Sequence, residues 1–275
     1  MKGKLINSRP KSLAVNLMEL WDFRALIASF VRRDIKVRYA QTSLGLLWVF
    51  IQPLAYLLSF IFIFNRVFTK SLEDIPYSLF AVTGLMVWTY FSFAVTQAGS
   101  SLIGSQEIIR KVYFPKLVIP IGKAFLGLID LFVVLGFVAC LLIYHQVTIS
   151  SKMLWLPIFL LLTIAFALGL GVLISAVSIR YRDVQHLVPF LVQLGMFFSP
   201  VMYPTSFITD HLPKWLQMVY YLNPVSGLII GVRWATLGTN IDIIGVSISV
   251  VSGSLILVGA IAYFFRVERK LADEL

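Results

Sequence analysis

Six apolar runs of spanning or near-spanning length punctuate the chain, at about residues 44–64, 77–100, 118–144, 153–177, 187–203 and 241–265. A helix needs about 20 apolar residues to cross the hydrocarbon core of a bilayer, so these runs predict six transmembrane helices. The fifth is unusual. RYRDVQHLVPFLVQLGMFFSPVMYP, from Arg180 to Pro204, passes from a charged turn into an apolar stretch that breaks at Pro200 and Pro204. Two shorter apolar pieces follow, LQMVYYL and PVSGLIIGVRWATLG. Neither is long enough to cross comfortably. They predict two short re-entrant or interfacial helices at about 207–236, permitted only where protein or water shields their ends. An alternative in which 204–238 crosses as a helical pair gives eight spans and leaves both chain ends on the same side.

Residues 1–43 follow another pattern. From Leu13 to Tyr39, apolar positions (Leu17, Leu20, Trp21, Leu26, Ile27, Phe30, Val31, Ile35) are interrupted by Glu19, Asp22, Arg24, Arg32, Arg33, Asp34, Lys36 and Arg38. That spacing predicts an amphipathic helix in the membrane interface, its basic face toward anionic headgroups. A solvated helix packed only on protein is the plainer alternative. The expected class is an all-α polytopic membrane protein. Its expected parts are a cytoplasmic N-terminal segment 1–43, a transmembrane domain 44–265 and a cytoplasmic tail 266–275.

Composition agrees. Hydrophobic residues make up 59% of the 275 and charged residues 13%, about half the charged share of a soluble domain, which is about 25%. The mean hydropathy is +0.89. The net charge of +10 therefore points to the basic bias of cytoplasmic segments, and not to nucleic acid. Segments 1–43, 102–117, 180–186 and 266–275 hold 17 of the 23 Lys and Arg residues. Only Arg66, Lys70, Lys152, Lys214 and Arg233 fall to the other side. Both termini are expected in the cytoplasm. The first residues lack a cleavage pattern and are read as no signal peptide. The single cysteine, Cys140, reads as a small buried hydrophobe.

Local signals add detail. Gln52-Pro53 predicts a kink in the first span. Ser105 is placed to cap a short helix ending before Pro115. Gly169 and Gly171 permit close helix approach. Lys123 and Asp130 stand seven apart in the third span, roughly on one face. Asp130 needs a partner or water, and Lys123 and Arg233 are the candidates; a salt bridge is favoured over a proton relay.

No soluble catalytic domain is encoded. There is no GxxxxGK[ST] loop and no HExxH pair, and His145, His186 and His211 are scattered at loop edges, so no metal site is expected. The chain reads as non-catalytic. Energy must come from an ion gradient or from another polypeptide. A secondary carrier usually carries matching broken helices in both halves, and here the break lies in one half only. A carrier or a structural membrane protein remains an alternative on these grounds.

Three blocks carry a resemblance: SIRYRDVQHLVPFLVQLGMFFSPVMYP at 178–204, YLNPVSGLIIGVRWA at 221–235 and RDIKVRYAQTSLGLLWVFIQPL at 33–54, with IRKVYFPKL at 109–117 beside them. With these the chain resembles the membrane subunit of a type-2 ABC exporter, in the branch that moves O-antigen, capsular polymer or teichoic acid. The resemblance implies a homodimer of this chain in the bacterial inner membrane with two copies of a cytoplasmic ATPase subunit, which binds ATP and Mg. The implied substrate is a lipid-linked polysaccharide moved outward. A type-2 permease for a drug or small lipid is the nearest alternative.

The resemblance also suggests roles. Glu107, Arg110, Lys111, Tyr113 and Phe114, with Arg180, Arg182 and Asp183, would couple to the ATPase; the plainer readings are solvated loop charges, interfacial aromatics and an Arg–Asp pair that holds the tight loop. Arg32, Arg33, Lys36 and Arg38 would anchor on phospholipid headgroups or hold the pyrophosphate of the substrate. Gln52, Tyr56 and Phe60 in the first span, and Phe190, Gln193 and Phe197 in the fifth, are path candidates, because sugar rings stack on aromatic rings while their hydroxyls seek polar groups. Ordinary packing is the default for each.

Overall fold

The fold was taken from a computed structural model. It describes residues 19–39, 44–68, 72 and 75–268, and the backbone of 269–274. The first part of the N-terminal segment, residues 40–43, most of 69–74 and the side chains of the tail beyond 268 lie outside the described residues, as do the expectations placed on them.

The described residues form helices and no strands. In chain order these are α1 (Arg24–Tyr39), α2 (Trp48–Phe68), α3 (Tyr77–Ser100), α4 (Gln106–Lys111), α5 (Val118–Leu126), α6 (Leu128–Tyr144), α7 (Leu156–Arg180), α8 (Val184–Gly195), α9 (Thr205–His211), α10 (Lys214–Tyr221), α11 (Pro224–Leu237) and α12 (Ile243–Glu274). Helix α2 continues through Pro53. Ser105 occupies the position before α4, but its hydroxyl makes no capping bond.

Five stretches are long and apolar enough to cross a bilayer: Gly45–Phe68, Tyr77–Ser100, Val118–Tyr144, Ser151–Arg180 and Ile243–Glu268. The fifth predicted span, 187–203, differs. Its helix α8 is 12 residues long, about 18 Å at 1.5 Å per residue, well short of the roughly 30 Å core. Turns and bends replace the helix from 196 to 203. The segment nonetheless reaches from one end of α3 to the other. It leaves α7 at Arg180, and 22 residues later the Tyr77 hydroxyl donates to the Met202 carbonyl at 2.9 Å. The two short helices expected at 207–236 are three, α9, α10 and α11. Pro213 and Pro224 divide them, since a proline lacks the N–H that would continue a helix.

Helix α3 is the centre. Of its most apolar window, 78% is buried within the protein, against 22% for the first span. It packs most extensively on α7, where Gly171 lets Ala98 approach: a Cβ there would stand 2.7 Å from the Ala98 Cβ. Gly169 does the same toward α12, with the Leu257 backbone 2.9 Å away. The glycine stretch thus works as expected. Helix α11 is buried nearly all round between α12, α3 and α7. Asn223 caps it by accepting from the Val225 N–H at 3.1 Å, and Gly238 ends it in the left-handed conformation at φ 72°. Ser249 of α12 fixes its start, accepting from the Gly227 N–H and donating to the Tyr221 carbonyl. Cys140 is exposed on the outer side of α6, not buried as expected.

A second, smaller core lies at the end of the bundle that holds α4. Leu20, Leu102, Phe114, Leu117, Val172 and Phe264 pack there with the apolar side of α1. Helix α12 is tied in by Glu268, whose carboxylate accepts from the Lys116 N–H at 3.0 Å. Burial pushes the Lys116 ammonium below its ordinary pKa, and Glu268 offsets part of that shift.

Candidate functional site

A cavity of about 510 Å³ opens between α2, α3, α6 and α8. From α2 come Gln52, Pro53 and Tyr56; from α8, Pro189, Val192 and Gln193. The largest share comes from α3, with Trp88, Thr89, Ser92, Phe93, Thr96 and Gln97. Thr89, Ser92 and Thr96 stand at i, i+3 and i+7, so they share one helical face. Thr89 and Ser92 donate to carbonyls of their own helix at 2.7 and 3.1 Å, which leaves oxygen lone pairs for a guest. The amides of Gln52, Gln97 and Gln193 make no hydrogen bond among the described residues. Apart from aliphatic side chains such as Val49, Leu85 and Val192, these three helices thus offer the cavity rings and neutral hydrogen-bonding groups.

Two charged side chains line this cavity, Arg38 and Asp130. They form an ion pair at 2.9 Å. The partner expected for Asp130 was Lys123 or Arg233, and it is neither. The third span breaks at Gly127 between α5 and α6, so Lys123 and Asp130 do not lie on one regular helix. A Cβ on Gly127 would come within 2.7 Å of the Phe93 ring, so glycine is required where α6 passes α3. Lys123 instead meets Asp34 at 2.7 Å. Asp34 and Arg38 stand one turn apart on α1. The two pairs therefore join α1 to the third span with alternating sign. Asp34 also receives Arg33 at 3.0 Å, while Arg33 stacks on Phe30. Arg32, Arg33 and Lys36 are exposed; only Arg38 turns into the cavity.

Arg233 is buried, with 3% of its surface accessible. Its guanidinium donates to the carbonyls of Phe80, Pro200 and Val201 and lies 3.4 Å over the Phe80 ring. Pro200 and Val201 belong to the turns after α8, where no helix satisfies their carbonyls. Arg233 supplies the missing donors and so fixes α11 to the broken segment and to α3.

Of the remaining path candidates, Phe60 is buried in the main core, away from the cavity. Phe190 and Phe197 are 58% and 60% exposed and are not among the residues that line the cavity; the helix ends at Gly195, so Phe197 lies beyond it and does not continue the face of Phe190 and Gln193. Among the residues assigned to coupling, Glu107, Arg110, Lys111, Arg180, Arg182 and Asp183 are exposed at the α4 end, and Tyr113 is 70% exposed. Phe114 turns inward, against Phe30 with ring centroids 5.9 Å apart. No ion pair joins Arg180 or Arg182 to Asp183 among the described residues; Arg180 stacks on Tyr181.

The α3 contribution was missed from the sequence. Its hydroxyls at helical spacing within an apolar run were the available signal.

Residues 25–237 match the ABC-2 type transporter family. Over 211 residues the chain is 30% identical to an O-antigen export system permease protein, RfbA, of Myxococcus xanthus, covering 77% of this chain and 80% of that protein. The RfbA protein of Klebsiella pneumoniae is 25% identical over 259 residues, 94% of this chain and 96% of that one. The polysialic acid transport protein KpsM of Escherichia coli is 24% identical over 208 residues, covering 74% and 77%. With well over half its length matched, the chain belongs to the ABC-2 type transporter membrane family.

Proposed function

We propose that this chain is the transmembrane subunit of an ATP-driven exporter that moves a lipid-linked polysaccharide outward across a bacterial inner membrane. The observation that carries the reading is similarity along 94% of the chain to an O-antigen export permease. The cavity supports it, since three free amides, α3 hydroxyls and the rings of Tyr56 and Trp88 suit a sugar chain. The chain is not itself the motor. Two copies would pair with two cytoplasmic ATPase subunits, which bind ATP and Mg.

The proposed arrangement has six crossings with both termini in the cytoplasm, the fifth in chain order being the segment 184–203. Its support is the Tyr77–Met202 bond at one end of α3 and the Arg180 turn at the other. Glu107, Arg110, Lys111 and Tyr113 would then face the ATPase, joined by Arg180, Arg182 and Asp183. Helices α9 to α11 would lie at the outer surface. Arg32, Arg33 and Lys36 would meet headgroups. Gln52, Tyr56 and Gln193 would line the path, with the exposed Phe190 and Phe197 against the second copy.

The test is deletion of the gene. Lipid-linked polymer should accumulate on the inner side while surface polysaccharide disappears. Unchanged surface polysaccharide would refute the reading.

A further inference from the structure

The Arg38–Asp130 pair is half made. It rests on a single contact, Nη2 to Oδ2 at 2.9 Å. The second oxygen of Asp130 and Nη1 of Arg38 are both buried, and neither has a hydrogen-bond partner among the described residues. Arginine–carboxylate pairs are frequently bidentate, with two parallel bonds, and this one leaves a donor and an acceptor unused.

Arg38 is also held without Asp130. Its guanidinium carbon lies 4.5 Å from the Phe93 ring centroid and 5.2 Å from that of Tyr39. Cation–ring attraction of this kind keeps the plane of the guanidinium in place while its edge is exchanged. Asp130 has its own support, the first turn of α6, whose unpaired N–H groups favour a carboxylate. Either member can therefore part from the other without being abandoned. The neighbouring pair, Lys123 with Asp34, continues to hold α1 against the third span.

We infer that Arg38 is an oxyanion-binding residue for a lipid-borne phosphate or diphosphate, and that Asp130 is the counterion it releases on binding. The planar guanidinium matches two phosphate oxygens. Exchange replaces one charge-assisted contact of Arg38 by another, and the released Asp130 carboxylate is left to the N–H groups that open α6. The site lies at the wall of the glycan cavity, and its assignment to a glycan carrier rests on the proposed export function. The same chemistry would take the headgroup of an anionic phospholipid.

The test uses the full-length chain in nanodiscs and native mass spectrometry with three lipids: polyprenyl diphosphate, phosphatidylglycerol and unphosphorylated polyprenol. Arg38→Gln should weaken the diphosphate by about tenfold or more, the worth of a charged hydrogen bond, and leave polyprenol unchanged. Asp130→Asn should tighten the diphosphate several-fold, because a competing anion is gone. That opposition of sign supports the inference, and a merely structural bridge would not produce it. Weakening by both variants, or no change in either, would overturn it. Preference for the diphosphate assigns the site to the carrier, and equal binding of phosphatidylglycerol assigns it to a bilayer lipid. Arg38→Lys, which keeps the charge, serves if the glutamine variant fails to fold, and retained partial binding is then expected; complete loss there, with no tightening in Asp130→Asn, would overturn the proposal. Loss of surface polysaccharide on gene deletion, with unaltered lipid binding in both variants, would sink this inference and leave the export function standing.

Discussion

Arg233 and Phe80, 153 positions apart in sequence, meet face to face: the guanidinium carbon stands 3.4 Å from the ring centroid, and the same side chain donates to the Phe80 carbonyl at 3.0 Å. A charge so deep is costly unless it is paired or hydrogen-bonded. Here the compensation comes from dipoles. The carbonyls of Phe80, Pro200 and Val201 converge on one guanidinium. A helix that breaks off inside the protein leaves carbonyls without donors, and buried carbonyls have no water to replace them. The arginine and the break need each other.

Replacing Arg233 with Met should therefore lower stability by about 2–4 kcal/mol, since buried carbonyls lose their donors. Arg233→Lys should recover only part, because an ammonium lacks the planar fork. Thermal unfolding of the detergent-solubilised protein measures both.

Gly84 belongs to the same contact. A Cβ there would stand 2.6 Å from Arg233 Nη2 and 2.8 Å from the Val201 carbonyl. Gly84→Val should destabilise as Arg233→Met does. The double variant should be little worse than either single one, because both remove one shared interaction. Additive losses in the thermal midpoint would separate the two positions.

Lys123 and Asp34 should behave as a pair. Lys123→Asp alone sets two carboxylates together and should cost about 1–3 kcal/mol, the usual range for coupled neighbours. Exchanging both, Asp34→Lys with Lys123→Asp, should restore most of it. A double-mutant cycle on folded yield and unfolding temperature reads the coupling.

Arg110 and Lys111 project from α4 without an ion-pair partner among the described residues. Reversing both to Glu should weaken copurification of the ATPase by about tenfold or more, while the helical circular dichroism and thermal midpoint stay unchanged. Undiminished copurification would remove α4 from the docking surface.

Hydropathy made the architecture legible because the bilayer imposes one length on every crossing helix. Five of the predicted runs are long helices within a few residues of the expected bounds. The run at 187–203 was legible as apolar but not as a 12-residue helix, since hydropathy counts apolar residues and not backbone conformation. Gly169 and Gly171 were readable because small residues in series have one common use in helix contacts. The ion pairs were not. Arg38 and Asp130 are 92 positions apart, and nothing local selects either. The spacing of Lys123 and Asp130 suggested a pair, but the two flank the Gly127 break and meet Asp34 and Arg38 instead. Gln52, Tyr56 and Gln193 were found because each stood out polar or amphipathic in an apolar run. Trp88 and Thr89 sat within a span whose apolar residues drew the attention.

The central claim, ATP-driven export of a polysaccharide through this chain, is tested most directly in proteoliposomes holding the chain and its copurified ATPase. Labelled lipid-linked polymer is supplied outside the vesicles, on the face where ATP is added, and uptake into the lumen is followed. Uptake that requires hydrolysable ATP and falls when Trp88 and Tyr56 are both changed to Ala is the predicted result. Uptake that persists without ATP, or that an imposed ion gradient alone drives, would contradict it.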